Sequence, residues 1–202
     1  MNITYYGATC FRLQNNQISI LIDPPESKTG LTIPRMQNNV TLFTHDINGK
    51  VNAQSFVINC PGEYEIKGCF VYGVGANGDM ETKTIYLIEV EDLRIAHLGN
   101  ITNAKLTELQ LDKFDNVDIL LVPVGGDDSL DSKKAREIVN SLEPRIVVPM
   151  NYKIEGLKTK VDSLDKFQKE LSAKSESVNK YKIVKKDLLQ EEIRMVIIEP
   201  SK

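Results

Sequence analysis

The two halves of the chain differ in the spacing of their hydrophobic residues. In the first half, short apolar or alternating runs are separated by turns rich in Gly, Asn, Asp and Pro, which is typical of strands joined by tight connections. Hairpin turns are expected at Asn15-Asn16 and at Glu91-Asp92. The predicted strand segments are NITYYG, CFRLQ, ISILID, VTLFT, SFVIN, YEIKGCFVYGVG and TIYLIEVEDLRIAHLG.

The second half alternates helical patterns with short apolar runs. Leu106, Leu109 and Phe114 share one face at helical spacing, and Thr107 with Gln110 three residues later is typical of a capping box. Two more helices are predicted over SLDSKKAREIVNSL and SLDKFQKELSAK, and strands over VDILLVPVGG, RIVVPMNY, YKIVKKD and IRMVIIEP. Hairpins followed by helix–strand units predict an α/β sandwich with sheets inside and helices outside. No linker or repeat interrupts the pattern, so we predict a single domain over residues 1–202.

Charge and composition exclude several classes of partner. The chain has 202 residues, of which 41% are hydrophobic and 26% charged, as in globular proteins with a substantial core. Its net charge of -3 creates no overall attraction for nucleic acid or anionic lipid. Residues 153–186 hold ten Lys but also five Asp or Glu, which favours a solvated helical surface. We therefore expect neither a nucleic-acid nor a membrane partner.

The location of the protein is predicted from its cysteines and its apolar runs. No run approaches the roughly 18 apolar residues of a transmembrane helix, and the first residues lack the pattern of a signal peptide. Cys10, Cys60 and Cys69 are odd in number and show no CxxC spacing. Free thiols in a reducing compartment are therefore expected, which predicts a cytoplasmic protein.

Conventional catalytic motifs are sparse. The sequence contains only two histidines, His45 and His97. A nucleophilic pair could combine Cys10 or Cys60 with His97, but no local signature supports it, and buried structural cysteines are the favoured interpretation. Neither a GxSxG elbow nor a phosphate-binding P-loop is present.

Polar residues and glycines recur directly after the predicted strands. Ligand sites of α/β proteins gather at such strand ends. Each residue alone is typical of a turn, but together they predict one shared cleft. They are Asp23, His45-Asp46, Gly62-Glu63, Asp79, His97-Leu98-Gly99-Asn100, Val124-Gly125-Gly126 and Asn151.

The order of several motifs resembles the metallo-β-lactamase superfamily. More narrowly, the chain is similar to the single-domain Zn-dependent hydrolases related to ascorbate-6-phosphate lactonases. The resemblance covers nearly the whole chain and implies an αββα sandwich, two mixed β-sheets flanked by helices, with a metal site at one edge of the sheets. The motifs are YYGATCFRL, ILIDP, FTHD, NCPGEYEIKG, TIYLIEVEDLRIAHLGN, DILLVPVGG and IVVPMNY.

The principal metal-binding motif of that superfamily, THxHxDH, is mostly replaced. His45 stands at its first histidine, whereas Ile47 occupies the place of the second. Gly49 replaces the aspartate and Lys50 the last histidine. The resemblance thus leaves one metal-binding imidazole in this motif.

The ligands expected elsewhere are replaced as well. A further family histidine would fall at Gly78, beside Asp79. The bridging aspartate of the HxGD motif corresponds to Asn100, although the histidine of the motif is kept as His97, which we interpret as a core or supporting residue. The last ligand of the family corresponds to Asn151.

These replacements leave too few donors for the metal chemistry of the family. Zinc and manganese sites need three or more imidazole or carboxylate ligands. Without such a metal, the pKa of a bound water is not lowered from about 15.7 towards 7, and no hydroxide nucleophile forms. Our first interpretation is an inactive family member without a cofactor, whose cleft binds a small molecule or a partner protein. The residues assigned to this cleft are His45, Asp46, Gly78, Asp79, Asn100 and Asn151.

Two other interpretations remain. The first is an active hydrolase of the lactonase or phosphodiesterase type with a shifted Zn or Mn site, whose candidate ligands are His45, Asp46, Asp79, Glu63 and Asp23. The second is a structural subunit of a homo-oligomer.

Overall fold

The computed structural model describes residues 1–46, 53–76, 83–188 and 192–201. Strands in these ranges form two mixed sheets, and three α-helices follow in the second half of the chain. Short 3-10 turns lie at Ser27–Thr29 and Lys185–Asp187. Among the helices of the described ranges, none has the length and apolar character needed to cross a membrane.

The first sheet has six strands in the described ranges. Strands β1 to β3 form an antiparallel meander, β4 and β5 continue it in parallel with β3, and β13 pairs with β1. Its strands are β1 (Asn2–Gly7), β2 (Cys10–Gln14), β3 (Ser19–Ile22), β4 (Val40–Leu42), β5 (Phe56–Ile58) and β13 (Tyr181–Lys182).

The second sheet has eight strands in the described ranges, in the order β12-β14-β11-β10-β9-β8-β7-β6. The strands from β12 to β9 run parallel to one another, and those from β9 to β6 are antiparallel. They are β6 (Gly62–Ile66), β7 (Cys69–Gly75), β8 (Thr84–Val90), β9 (Leu93–His97), β10 (Ile119–Pro123), β11 (Ile146–Met150), β12 (Lys174–Val178) and β14 (Arg194–Ile198).

The two sheets share one hydrophobic core. Tyr5 and Phe11 of the first sheet are fully buried in the same cluster as Tyr86 of the second. Helix α2 (Ser132–Leu142) contacts β10 and packs against α3 (Leu164–Leu171), while α1 (Glu108–Lys113) is a short helix before β10. Burial of this amphipathic α2 face agrees with the sequence pattern, since Ala135, Ile138, Val139 and Leu142 are its buried apolar residues.

The local turn and cap predictions are confirmed where residue chemistry dictates the backbone. Glu91 and Asp92 both adopt positive φ between β8 and β9, as a tight hairpin turn requires. The Thr107 hydroxyl accepts from the backbone N–H of Gln110, and the Gln110 side chain accepts from the N–H of Thr107. Helix α1 therefore begins with the predicted capping box.

Two local predictions are wrong. Leu109 does not join the buried face of α1 but is 64% exposed, because the buried side chain of this helix is Gln110. The Gln110 amide donates to the backbone oxygens of Gly75 and Ala76, so a polar side chain anchors the helix to the end of β7. Strand β12 is absent from the sequence prediction, since four of its five side chains are exposed and no apolar period marks it.

Candidate functional site

A cleft of about 280 Å³ lies where strand ends of both sheets meet. Parallel strands end at the same edge of their sheet, so the loops that follow them come together there. From the first sheet come Asp23 after β3 and Thr44-His45 after β4, and from the second come Asn100 after β9, Gly126 after β10 and Asn151 after β11.

The backbone at this edge is unusually constrained. Asp23 and Asn151 adopt φ values of 46° and 53°, and Ala8, which also lines the cleft, has φ of 50°. Non-glycine residues rarely adopt this left-handed conformation, and when they do it is often at a functional site. Gly99 also has positive φ, and a Cβ there would lie 2.5 Å from Thr44 Oγ1. Only a glycine therefore lets the loops after β9 and β4 approach this closely.

Asp23 is the buried carboxylate of the cleft, with an exposed fraction of 2%. Its Oδ1 accepts from the backbone N–H of Thr44 at 2.8 Å, and its Oδ2 accepts from the Thr44 hydroxyl at 2.6 Å. The Nδ1 atom of His45 lies 3.6 Å from Oδ1, and Nε2 lies 3.8 Å from Oε1 of Glu26. Glu26 also pairs with Lys28 at 2.9 Å. The imidazole of His45 is thus flanked by two carboxylates, each of which already has another partner.

His97 lies behind the cleft wall and is fully buried. Its Nδ1 accepts from the backbone N–H of Gly99 at 3.2 Å, so Nε2 is the protonated nitrogen and donates to the Thr9 carbonyl at 2.9 Å. Burial lowers the pKa of His97, although the charge of Asp23 opposes this shift. A neutral His97 therefore ties the loop after β9 to the turn between β1 and β2, which agrees with its interpretation as a supporting residue.

A directed chain of hydrogen bonds fixes the two asparagines of the cleft. The Ser129 hydroxyl donates to the Gly126 carbonyl at 2.9 Å, so its oxygen is left to accept. Asn151 Nδ2 donates to that oxygen at 3.1 Å and to Oδ1 of Asn100 at 3.0 Å. The Asn151 backbone N–H donates to the Ala8 carbonyl oxygen at 2.8 Å. The order of donors thus determines which way both amides face.

An ammonium group stands beside these amides. Lys83 Nζ donates to the backbone oxygen of Asn100 at 3.0 Å, and Lys83 lines the same cleft. Lys83 was not predicted from the sequence because it precedes β8, whereas the predicted site residues directly follow strands. Ser129 was missed because a serine in a polar turn carries no signal of its own. Glu26 was not predicted either, because a charged residue in a loop has no signal of its own, whereas Thr44 lies in the FTHD motif.

The remaining predicted site residues are divided among several places. Asp46 is exposed and is not among the residues that line the cleft. Glu63 pairs with Lys113 at 2.6 Å, also away from the cleft lining. Five predicted positions lie outside the described residues: Ile47, Gly49, Lys50, Gly78 and Asp79.

The alternative cysteine–histidine pair has no geometric support. Both ring nitrogens of His97 are engaged by backbone groups, as described above. Cys10 is buried, and burial raises the pKa of its thiol well above the usual value, which disfavours the nucleophilic thiolate. Cys60 is exposed, and its sulfur lies 3.2 Å from the Tyr64 hydroxyl.

The described residues do not fit a metal of the kind that the resemblance implies. Asn151 presents an N–H donor towards Asn100, and the Oδ1 of Asn100 is occupied in accepting it. Amide N–H groups offer no lone pair to a cation, and Zn²⁺ prefers thiolate, imidazole or carboxylate ligands. Within the described ranges, no group of three or more His, Cys, Asp or Glu side chains is placed to hold a metal ion.

Comparison with known proteins places this geometry in context. Residues 2–151 match the model of the β-lactamase superfamily domain. A UPF0173 protein of Pyrococcus abyssi is 28% identical over 189 residues, spanning 77% of this chain and 85% of its own. A UPF0173 metal-dependent hydrolase of Lysinibacillus sphaericus is 26% identical over 195 residues, spanning 75% and 85%.

The likeness extends to three dimensions. The crystal structure of a Thermotoga maritima protein, described as a Zn-dependent hydrolase of the metallo-β-lactamase superfamily, is similar with a TM-score of 0.82. The two chains are 28% identical, and the match covers 98% of this chain and 100% of that one. The predicted sandwich of two mixed sheets is thereby confirmed.

Proposed function

The chain belongs to the β-lactamase superfamily, within a family of metal-dependent hydrolases, and from that premise we propose that it is a non-catalytic member whose cleft binds a small molecule. Fold and function separate readily in such families, because activity resides in a few side chains at the site. The proposal also includes a cytoplasmic location, which free cysteines favour.

The observation that carries this proposal is the amide pair of Asn100 and Asn151. By the resemblance of the motifs, both correspond to metal ligands of the family, and both are committed to hydrogen bonds whose direction Ser129 sets. An aspartate and a histidine at these positions would supply a negative charge and an imidazole lone pair. The amides supply neither, so the charge and the ligands that hold a divalent cation are both reduced.

The same reasoning weakens the alternative of a shifted metal site. One oxygen of Asp23 accepts from the backbone N–H of Thr44, and the other accepts from its hydroxyl. Asp46 is exposed outside the cleft lining, and Glu63 pairs with Lys113. His45 is therefore the remaining imidazole of the cleft, beside carboxylates that are already hydrogen-bonded or ion-paired.

The chemistry expected of the family would depend on a metal-bound water. A metal supplies the hydroxide nucleophile and polarises the scissile carbonyl or phosphoryl group. The residues here orient and bind instead: Lys83 and the Asn100 amide present N–H groups, and Asp23 holds Thr44 and the loop after β4 in place. Binding without turnover is the function that this arrangement supports.

Metal analysis of the purified protein tests the proposal. After equilibration with Zn²⁺ or Mn²⁺ and desalting, we expect less than about a tenth of an equivalent of metal to remain, because the ligand set is too poor. An Asn100→Asp, Asn151→His double variant serves as the matched control, and we expect it to retain more metal than the unmodified chain.

Activity after metal removal provides the second readout. Lactone and phosphodiester substrates should be hydrolysed no faster than in buffer, with or without added metal. A stoichiometric metal content in the unmodified chain, or hydrolysis that a chelator abolishes, would contradict the proposal.

A further inference from the structure

The Asn100 side of the cleft presents hydrogen-bond donors. Lys83 Nζ carries three N–H groups, of which one donates to the Asn100 backbone oxygen. Within the described ranges, no carboxylate lies within ion-pairing distance of this nitrogen. Among the described residues this partly buried ammonium has no counter-ion, which favours an anion at this place.

The side chain of Asn100 adds a second donor. Because its Oδ1 accepts from Asn151, the opposite end of the amide is Nδ2, which carries two N–H groups. In the described part of the chain, no residue accepts from Nδ2. Asn100 lines the cleft together with Lys83, whose ammonium donates to its backbone oxygen, so a ligand in the cleft can meet both side chains.

We infer that Lys83 and Asn100 form a carboxylate-binding subsite, and that the ligand of the cleft is a small molecule with a single carboxylate group. The inference rests on the proposed function, since the donors are available only where no family metal stands. A carboxylate offers two oxygens, one for the ammonium and one for the amide. Hydrogen bonds between ionised partners of this kind are about twice as strong as neutral ones.

The rest of the lining selects for a single negative charge. Four carboxylates also border the cleft: Asp23, Glu26, Asp127 and Asp128. Asp23 and Glu26 are already partnered by Thr44 and Lys28, whereas Asp127 and Asp128 are exposed to solvent. Each further charge on the ligand would be repelled by this field, so a carboxylate is favoured over a phosphate dianion.

Titration of the metal-free protein with sodium acetate tests the inference. Binding is followed by amide chemical shifts in the presence of chelator, at constant ionic strength maintained with chloride. We expect saturable acetate binding, weaker binding of inorganic phosphate, and at least a roughly tenfold loss of acetate affinity in Lys83→Met, because a charge-assisted hydrogen bond is removed.

Lys28→Met is the matched control. Lys28 lines the same cleft, but its side chain is 76% exposed and it pairs with Glu26. We expect acetate affinity to change by less than about twofold, because an exposed ion pair contributes little. Equal affinity losses in the two lysine variants would overturn the inference, and so would unchanged affinity in Lys83→Met.

Asn100→Asp provides an independent variant should Lys83→Met fold poorly. It replaces the donating amide by a carboxylate that repels acetate, so we expect at least a roughly tenfold loss here as well. Acetate that binds this variant as tightly as the unmodified chain overturns the inference, as does phosphate binding more tightly than acetate to the unmodified chain.

The metal content of the same samples separates the two proposals. Metal-free protein that shows no saturable acetate binding overturns the carboxylate subsite alone. Stoichiometric Zn or Mn in protein purified without chelator overturns the proposed function as well.

Discussion

Two buried aspartates stand at opposite ends of the parallel strands. Asp23 follows β3 in the cleft, and Asp118 precedes β10 at the other edge. Their exposed fractions are 2% and 1%, so both carboxylates are equally removed from water. They differ in what surrounds them.

Asp118 is surrounded by cations. Lys185 Nζ donates to its two oxygens at 2.9 and 2.7 Å, and the backbone N–H of Arg94 donates to Oδ2 at 2.9 Å. Arg145 Nε lies 3.6 Å from Oδ1. This carboxylate joins the start of β10 to β9 and to the 3-10 turn at Lys185–Asp187, and its charge is fully compensated.

Asp23 is held by neutral donors. Both of its short hydrogen bonds come from Thr44, and in the described ranges the ionisable base within 4 Å of its oxygens is His45, at 3.6 Å. A buried carboxylate without a bonded cation contributes little to stability. It keeps the cleft polar, however, and its hydrogen bonds to Thr44 fix the loop after β4 that forms the cleft wall. The comparison teaches that equal burial serves charge compensation at one edge and the shape of the cleft at the other.

Neutralising each aspartate should give the largest contrast. Asp118→Asn preserves shape but leaves Lys185 without its partner, and we expect the free energy of unfolding to fall by about 3 kcal/mol, at the low end for a broken buried pair because Lys185 is half exposed. Urea unfolding measures this change.

Asp23→Asn is the matched control for that variant. One oxygen can still accept from the Thr44 N–H, and the hydroxyl of Thr44 can turn to accept, so we expect a loss of about 1 kcal/mol. A larger loss for Asp23→Asn than for Asp118→Asn would reverse the assignment of the two edges.

Adding a methyl group at Gly99 should damage the cleft edge selectively. The new Cβ would meet Thr44 Oγ1 at 2.5 Å, and the residue would also be held at positive φ. Gly68→Ala is the control, because Gly68 has φ of +74° but no atom within 4 Å of the added carbon. We expect Gly99→Ala to destabilise the protein by about 2 kcal/mol more than Gly68→Ala, the cost of overpacking. Equal thermal unfolding temperatures for the two variants would show that the loops after β9 and β4 do not need this close contact.

The smallest of the expected effects is the contribution of His97 to the pH dependence of stability. Burial lowers the pKa of His97 in the folded protein below the usual value near 6.5, so the unfolded chain binds a proton first as the pH falls. Stability is fully present above that value and declines below it, by at most about 1 kcal/mol between pH 6.5 and 5.5.

Substitution can separate the contributions of the two histidines to this pH dependence. His97→Gln should flatten the pH dependence over this interval, whereas His45→Gln should leave the contribution of His97 in place. Urea midpoints measured at each pH check this, and a slope that survives in His97→Gln would assign the effect to another group.

Local chemistry accounts for the part of the fold that could be predicted. Strands β8 and β9 and their Glu91-Asp92 turn follow from two short apolar runs and a pair of residues between them that tolerate positive φ. Leu109 and β12 could not be predicted, because the pattern of α1 does not reveal that Gln110 finds buried carbonyls, and β12 is a largely exposed edge strand.

The residues of the candidate site also divide into those that the sequence predicts and those that it does not. His45, Asn100 and Asn151 were predicted because residues after parallel strands meet at one edge, and the structure places all three on one cleft. Lys83 enters the cleft from the amino end of an antiparallel strand, which no strand-end rule identifies.

The sequence by itself determined most of the strands and helices, the resemblance to a metal-dependent superfamily, and the identity of the residues that replace its ligands in that resemblance. Only the tertiary structure decided which way those residues face. The hydroxyl of Ser129 donates to Gly126, so Asn151 donates to Ser129 and Asn100, and the Nδ2 group of Asn100 has no acceptor within the described part of the chain. An asparagine can donate or accept, and its partners, which are distant in sequence, make that choice.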